Sequence, residues 1–223
     1  MKRKKNKSIL CIYCVKRNAT TKDHVPPKCF FSEPRPNNLI TVPCCEKCNN
    51  FFGKDDEIVR NLITSFDTTE IHPSIQTQLA DKRNRSLGRK ESAFALQHLI
   101  NSMQPVDCFS PGGIYLGSRP GFNLNQPAMN NFIRRITIAL LYHEKQVILK
   151  NPIIDWRILN LNADDFNSMP DKIKSFISSR KIHRIGNGEF SYMGCYLPHI
   201  VDSLWIINFY DGIDLVTTLR RKS

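Results

Sequence analysis

Two Cys-x-x-Cys pairs, Cys11/Cys14 and Cys45/Cys48, have the residue type and spacing that most directly imply chemistry. Four thiolates in two such pairs suit tetrahedral structural zinc, because each pair sets two sulfurs on one tight knuckle and the knuckles share the ion. The segment pinched between them has too little apolar material to hold itself, so bound zinc would supply folding free energy. Cys44 adjoins Cys45 as a rival ligand, but only Cys45 keeps the two-residue spacing to Cys48. A thioredoxin-like role fits poorly, since two pairs at this separation suit one shared ion. Cys29, Cys108 and Cys195 read as ordinary thiols.

What the knuckles enclose decides whether the metal accompanies catalysis. The enclosed stretch carries Thr21-Lys-Asp-His-Val-Pro-Pro27 and Asn37-Asn-Leu-Ile-Thr-Val-Pro-Cys44, and Asn49 follows the last zinc cysteine directly. The order Cys-x-x-Cys, Asp-His, Asn, Cys-x-x-Cys-Asn resembles the HNH endonuclease superfamily, in particular its zinc-containing phage Holliday-junction-resolving members. The resemblance covers about residues 9–57, and the whole chain is similar in arrangement to small stand-alone bacterial HNH proteins.

That resemblance implies a ββα-metal module, two strands and a helix around a catalytic ion, and it implies roles for individual residues. Asp23 and Asn49 would hold one Mg²⁺ or Mn²⁺ through hard oxygen ligands. His24 would take a proton from the attacking water, and Asn38 would orient the imidazole. The product would carry a 5′-phosphate. Many relatives have histidine where Asn49 stands, and Asn37 and Asn50 adjoin the preferred positions, so either could serve in place of Asn38 or Asn49. Asp55 and Asp56, at an expected helix start, mainly complement the helix dipole. His72, His98, His143, His183 and His199 have no motif company and read as structural or exposed.

Charge points to the partner. The chain has 223 residues, with 32 Lys/Arg against 20 Asp/Glu and a net charge of +12. The excess is densest in the first 60 residues, and such an excess favours polyanions through counterion release. Nucleic acid is therefore the expected partner, DNA before RNA, with Lys22, Lys28, Lys47 and Lys54 as candidate contacts. The function expected is a divalent-metal-dependent DNA endonuclease, set in phage defence or a mobile element. The alternatives are the same site acting on RNA, or a non-catalytic zinc-dependent nucleic-acid-binding module. A homodimer and a partner protein of a defence system stay open. No apolar run approaches the ~18 residues needed to cross a bilayer, and the basic start is too short and cysteine-rich for a signal peptide, so the expected location is cytoplasmic.

These residues need elements to position them. The expected fold class is α+β: a basic tail over 1–7, a zinc-stapled ββα module over 8–66, and a mixed helical and antiparallel-strand region over 67–223 for substrate binding, dimerisation or docking. Periodicity predicts helices over Asp55–Phe66, Lys90–Met103 and Asp164–Ser179, the last interrupted at Pro170. The strongest helix is Pro127–Lys145, with Phe132, Ile133, Ile136, Ala139, Leu140 and His143 on one face. Pro105–Gln126 reads as turns around a short strand at Ile114–Leu116. Strands are expected at Asp155–Leu161, Phe190–Leu197, Ser203–Phe209 and Asp214–Leu219, with Asp211-Gly212 as a hairpin signal and the Trp205–Gly212 segment as core.

Overall fold

The structure, a computed structural model, describes residues 9–92, 97, 100–101, 103–110, 112–121, 127–159, 171, 175, 178–196 and 203–221. The basic tail and most of the expected helices over 90–103 and 164–179 lie outside them, as do His98 and His199.

The chain opens with a β-hairpin of β1 (Thr21–Val25) and β2 (Ile40–Cys44), paired antiparallel with Asp23 opposite Val42 and His24 opposite Thr41. Helix α1 (Glu46–Ile63) follows directly. It begins at Glu46 rather than Asp55 because Cys45, in extended conformation, is its N-cap, so the second knuckle forms the first helical turn. That turn is polar and held from outside by its cysteines, which is why apolar periodicity does not report it. Helices α2 (Asp67–Glu70) and α3 (Ala80–Leu87) come next, with a π-helical turn at Ile75–Leu79 leading into α3.

Strands β3 (Gln104–Phe109) and β4 (Tyr115–Gly121) form a separate two-stranded sheet. This hairpin replaces the expected turns. Nearly all its side chains are exposed and Pro105 sits opposite Pro120, so no buried face imposes the alternation that identifies a strand. Helix α4 (Pro127–Lys145) keeps the expected bounds. His143, expected on its apolar face, is exposed, because the last helical turn runs past the core.

A five-stranded antiparallel sheet completes the fold, in the order β5 (Ile153–Leu159), β9 (Ile213–Arg220), β8 (Ser203–Phe209), β7 (Phe190–Tyr196), β6 (His183–Ile185). Strands β8 and β9 bury alternate residues, the period-two signature of a one-sided sheet. Trp205, Ile207, Phe209 and Tyr210 are all core, as expected from their apolar run. Two glycines have steric reasons. A Cβ on Gly194 would meet the Trp205 ring at 2.6 Å, and one on Gly212 would meet the Thr68 carbonyl oxygen at 2.3 Å. The β8–β9 turn, with Tyr210 and Asp211 at positive φ, is thereby pressed onto the backbone at the start of α2.

The described residues of the first 66 share a hydrophobic core with later elements. One hydrophobic core runs from Ile12, Val25 and Phe30 through α4 to Trp205 and Leu219. Phe30 stacks on Phe132 at 5.1 Å, lies 5.4 Å from Phe209, and its carbonyl accepts a 2.7 Å hydrogen bond from the Tyr210 hydroxyl. A short segment of this size cannot cover such side chains alone, so it buries them against α4 and the large sheet. The architecture is thus mixed α+β with antiparallel sheets, and no helix among the described residues is long and apolar enough to cross a membrane.

Candidate metal centre and hairpin site

Cys11 and Cys14 lie in the turn before β1, and Cys45 and Cys48 at the start of α1. Their four sulfurs lie within 4.8 Å of one another, and Cys14 Sγ is 3.9 Å from Cys45 Sγ. Zinc–sulfur bonds of about 2.3 Å at tetrahedral angles put sulfurs about 3.8 Å apart, so the cluster can hold a structural metal such as zinc. The Cys11 amide donates to the Arg17 carbonyl, and the Ile12 amide donates to Pro43, which ties the first knuckle to β2. Arg17 Nε donates to Cys45 Sγ at 3.4 Å. Burial pushes the Cys45 thiol up, but Arg17 and the contacts with Cys48 outweigh it and bring the pKa down to about 6. Cys44 points elsewhere, its thiol donating to the Cys45 carbonyl, and is not one of the four.

The hairpin separates Asp23 from His24. Alternation along β1 sends Asp23 inward and His24 toward the outer face, where Lys22 is also exposed. Asp23 is only 2% exposed. Arg135 of α4 grips it with Nε to Oδ2 at 2.8 Å and Nη2 to Oδ1 at 2.5 Å, and the Tyr13 hydroxyl donates to Oδ2 at 2.5 Å. Arg135 also pairs with Asp56 through Nη1, and its guanidinium lies 4.4 Å from the centre of the Phe52 ring. One cation thus faces two carboxylates. Burial pushes the Asp56 carboxyl up against the pull of Arg135, to about 6, with the Asp23 charge adding to the rise.

The hydrogen bonds of the expected asparagines run to other partners. Asn38 is exposed and donates its amide to the Arg184 carbonyl of β6 at 3.0 Å, a different direction from the orienting role implied for it. Asn49 donates to Thr21 Oγ1 at 3.4 Å, beside the inward face of β1. Asn37 and Asn50 are exposed. Asp55 accepts from Asn131 of α4 at 3.0 Å, so Asp55 and Asp56 both serve the contact between α1 and α4. The donor set expected for Mg²⁺ or Mn²⁺ does not fit as arranged, because both Asp23 oxygens already face a guanidinium.

His24 is half-buried, and burial followed by the Lys28 ammonium holds its imidazole below the usual range, so it is neutral at pH 7. Arg35 adds to the same field. Lys22, Lys28, Lys47 and Lys54 are all exposed. Arg135, Tyr13 and Phe52 were missed from sequence. A signal for Arg135 did exist: it sits within the apolar stripe of α4, three residues after Phe132 and four before Ala139, where an unpaired cation is not tolerated.

No family model, no curated protein and no solved structure matches the chain.

Proposed function

We propose that the chain is a nucleic-acid phosphodiesterase of the HNH kind, with His24 as general base and DNA as its first substrate. One observation carries the proposal: a neutral imidazole on the open face of a cysteine-clamped hairpin, beside Lys22, Lys28 and Arg35. Neutral imidazole can accept a proton, and the surrounding cations draw a phosphate toward it. His24 takes a proton from water as the water oxygen bonds to phosphorus. The bond from phosphorus to the 3′-oxygen breaks, the leaving oxygen takes a proton from solvent, and a 5′-phosphate results. No protein ligand set for a divalent ion is assigned, since Asp23 is held by Arg135.

A second reading is favoured by that same clamp. With Asp23 serving as a buried counter-ion, the hairpin and zinc centre can act as a binding module for nucleic acid with no chemistry at all. The two readings part in one experiment. Supercoiled plasmid, and separately single-stranded RNA, is incubated with the zinc-loaded protein and Mg²⁺, Mn²⁺ or chelator, beside His24→Ala at matched zinc content. Nicking or linearisation lost in the mutant supports the enzyme, and loss on RNA alone moves the substrate class. Binding without cleavage of either polymer supports the module, and equal cleavage by both proteins removes His24 as base.

A further inference from the structure

A basic pocket unrelated to the hairpin lies where the C-terminal half of α1 meets α3. Its volume is about 280 Å³, and Glu57, Arg60, Lys82, Arg85, Ser86 and Arg89 line it. Four of these are cations and one is an acid. Glu57 Oε1 accepts from both Ser86 Oγ and Arg89 Nη2, so the acid is matched by Arg89. Arg60, Lys82 and Arg85 then share a small space with no remaining carboxylate in the lining.

Arg60 is the informative member. It is only 5% exposed, yet Nε and Nη2 both donate to one neutral acceptor, Asn61 Oδ1, at 3.2 and 2.6 Å. Asn61 in turn donates to Ser86 Oγ at 2.9 Å, which fixes the amide and aims the guanidinium. Among the described residues no carboxylate forms an ion pair with Arg60 or Arg85, and Lys82 reaches only the Cys29 carbonyl, at 3.5 Å. A buried cation without a counter-ion costs several kcal/mol, and like charges around it add to that cost. An anion seated between them reverses both terms. Guanidinium groups and an ammonium are the groups that bind a phosphate.

We propose that this pocket is a binding site for a phosphate group, held by Arg60, Lys82 and Arg85. The site stands apart from cleavage at His24, although the field of Arg35 reaches both His24 and Lys82. The phosphate comes either from a nucleic-acid backbone or from a small phosphorylated molecule, and the test separates these sources. Calorimetric titration with inorganic phosphate, then with a short oligonucleotide lacking terminal phosphates, is run on the zinc-loaded full chain at low ionic strength. The variants are Arg60→Gln and the exposed Arg85→Glu, which keeps the test valid should Arg60→Gln fail to fold. Lys150→Glu, an exposed residue not lining the pocket, makes the same charge change as a control.

The parent and Lys150→Glu should bind phosphate saturably, while Arg85→Glu weakens it by roughly 10- to 100-fold, as loss and reversal of a phosphate contact implies. Oligonucleotide binding that phosphate displaces assigns the site to a polymer backbone, and phosphate binding without oligonucleotide binding assigns it to a small ligand. No saturable phosphate binding by the parent, or equal weakening in Arg85→Glu and Lys150→Glu, overturns the site.

Discussion

Replacing Arg135 by alanine should destabilise the protein more than any exposed substitution. The side chain is 4% exposed and joins α4 to β1 and α1 by holding Asp23 and Asp56 together. Its removal leaves one carboxylate almost fully buried and a second nearly so, with a cavity beside Phe52. Breaking a buried pair by deleting one partner costs about 3–5 kcal/mol, because the abandoned charge stays desolvated. The cation–π contact adds roughly 1 kcal/mol. Asp56, already pushed up to about 6, can take a proton and recover part of the loss. A net cost of about 4 kcal/mol is therefore expected, a melting temperature roughly 8–16 °C lower for a chain of this size. Urea denaturation at pH 7 with matched zinc content measures it. A loss below about 1 kcal/mol would mean that water reaches Asp23, and the clamp would then not explain why the carboxylate is withheld from metal. Adding Mn²⁺ to Arg135→Ala gives a second reading. A rise in melting temperature absent from the parent would show that freed Asp23 becomes a ligand.

The cysteine cluster, the Asp56 carboxyl, Gly212 and His24 each give a further expectation. Cys48→Ser should lose about one equivalent of zinc, and because Ile12, Phe30 and Phe31 pack in the common core, its unfolding should spread beyond the hairpin; zinc analysis beside amide exchange reports both. Asp56 binds its proton more tightly folded than unfolded, so it stabilises most below pH 3.8 and that contribution is lost as pH rises through about 6. Asp56→Asn should flatten this part of the stability profile in calorimetry between pH 4 and 7. Gly212→Ala should cost about 1–3 kcal/mol by pushing the β8–β9 turn off Thr68, seen as a lower urea midpoint. His24 has the opposite sign to Asp56: its lowered pKa keeps it a competent base as pH falls below 6.5, so any cleavage rate should fall only at lower pH, which a pH–rate profile checks.

The parts of the fold that were legible are those whose side chains carry a period. Helix α4 buries a continuous stripe from Ala128 to Leu141, and β8 buries every second residue from Ser203 to Phe209, so both could be placed from pattern alone. The β3–β4 hairpin buries almost nothing and left no pattern to read. The short helices of residues 67–87 could not be placed one by one because His72, Ser74 and Thr69 are buried as hydrogen-bonded polar groups: the His72 Nδ1 accepts from the Ser74 amide, and Ser74 Oγ donates to Glu189 at 2.7 Å. Polar residues that are core by virtue of distant partners look like loop in sequence.

The site divides along the same line. The cysteine cluster was legible because zinc ligation is a local rule: two knuckles with fixed spacing determine which sulfurs meet, and the structure chooses Cys45 over Cys44 as spacing requires. The Asp23–His24 pair was legible only as residue types, since what Asp23 does depends on a partner 112 positions away in the chain. Strand alternation alone requires the two side chains to part, one toward α1 and α4 and one toward solvent. Once Asp23 is inward it must find a positive partner, and an arginine in the apolar stripe of α4 must find a negative one, so each is evidence for the other. The same rule applied to Arg60 finds no carboxylate partner among the described residues, and the charge left over is the ground for expecting a phosphate there.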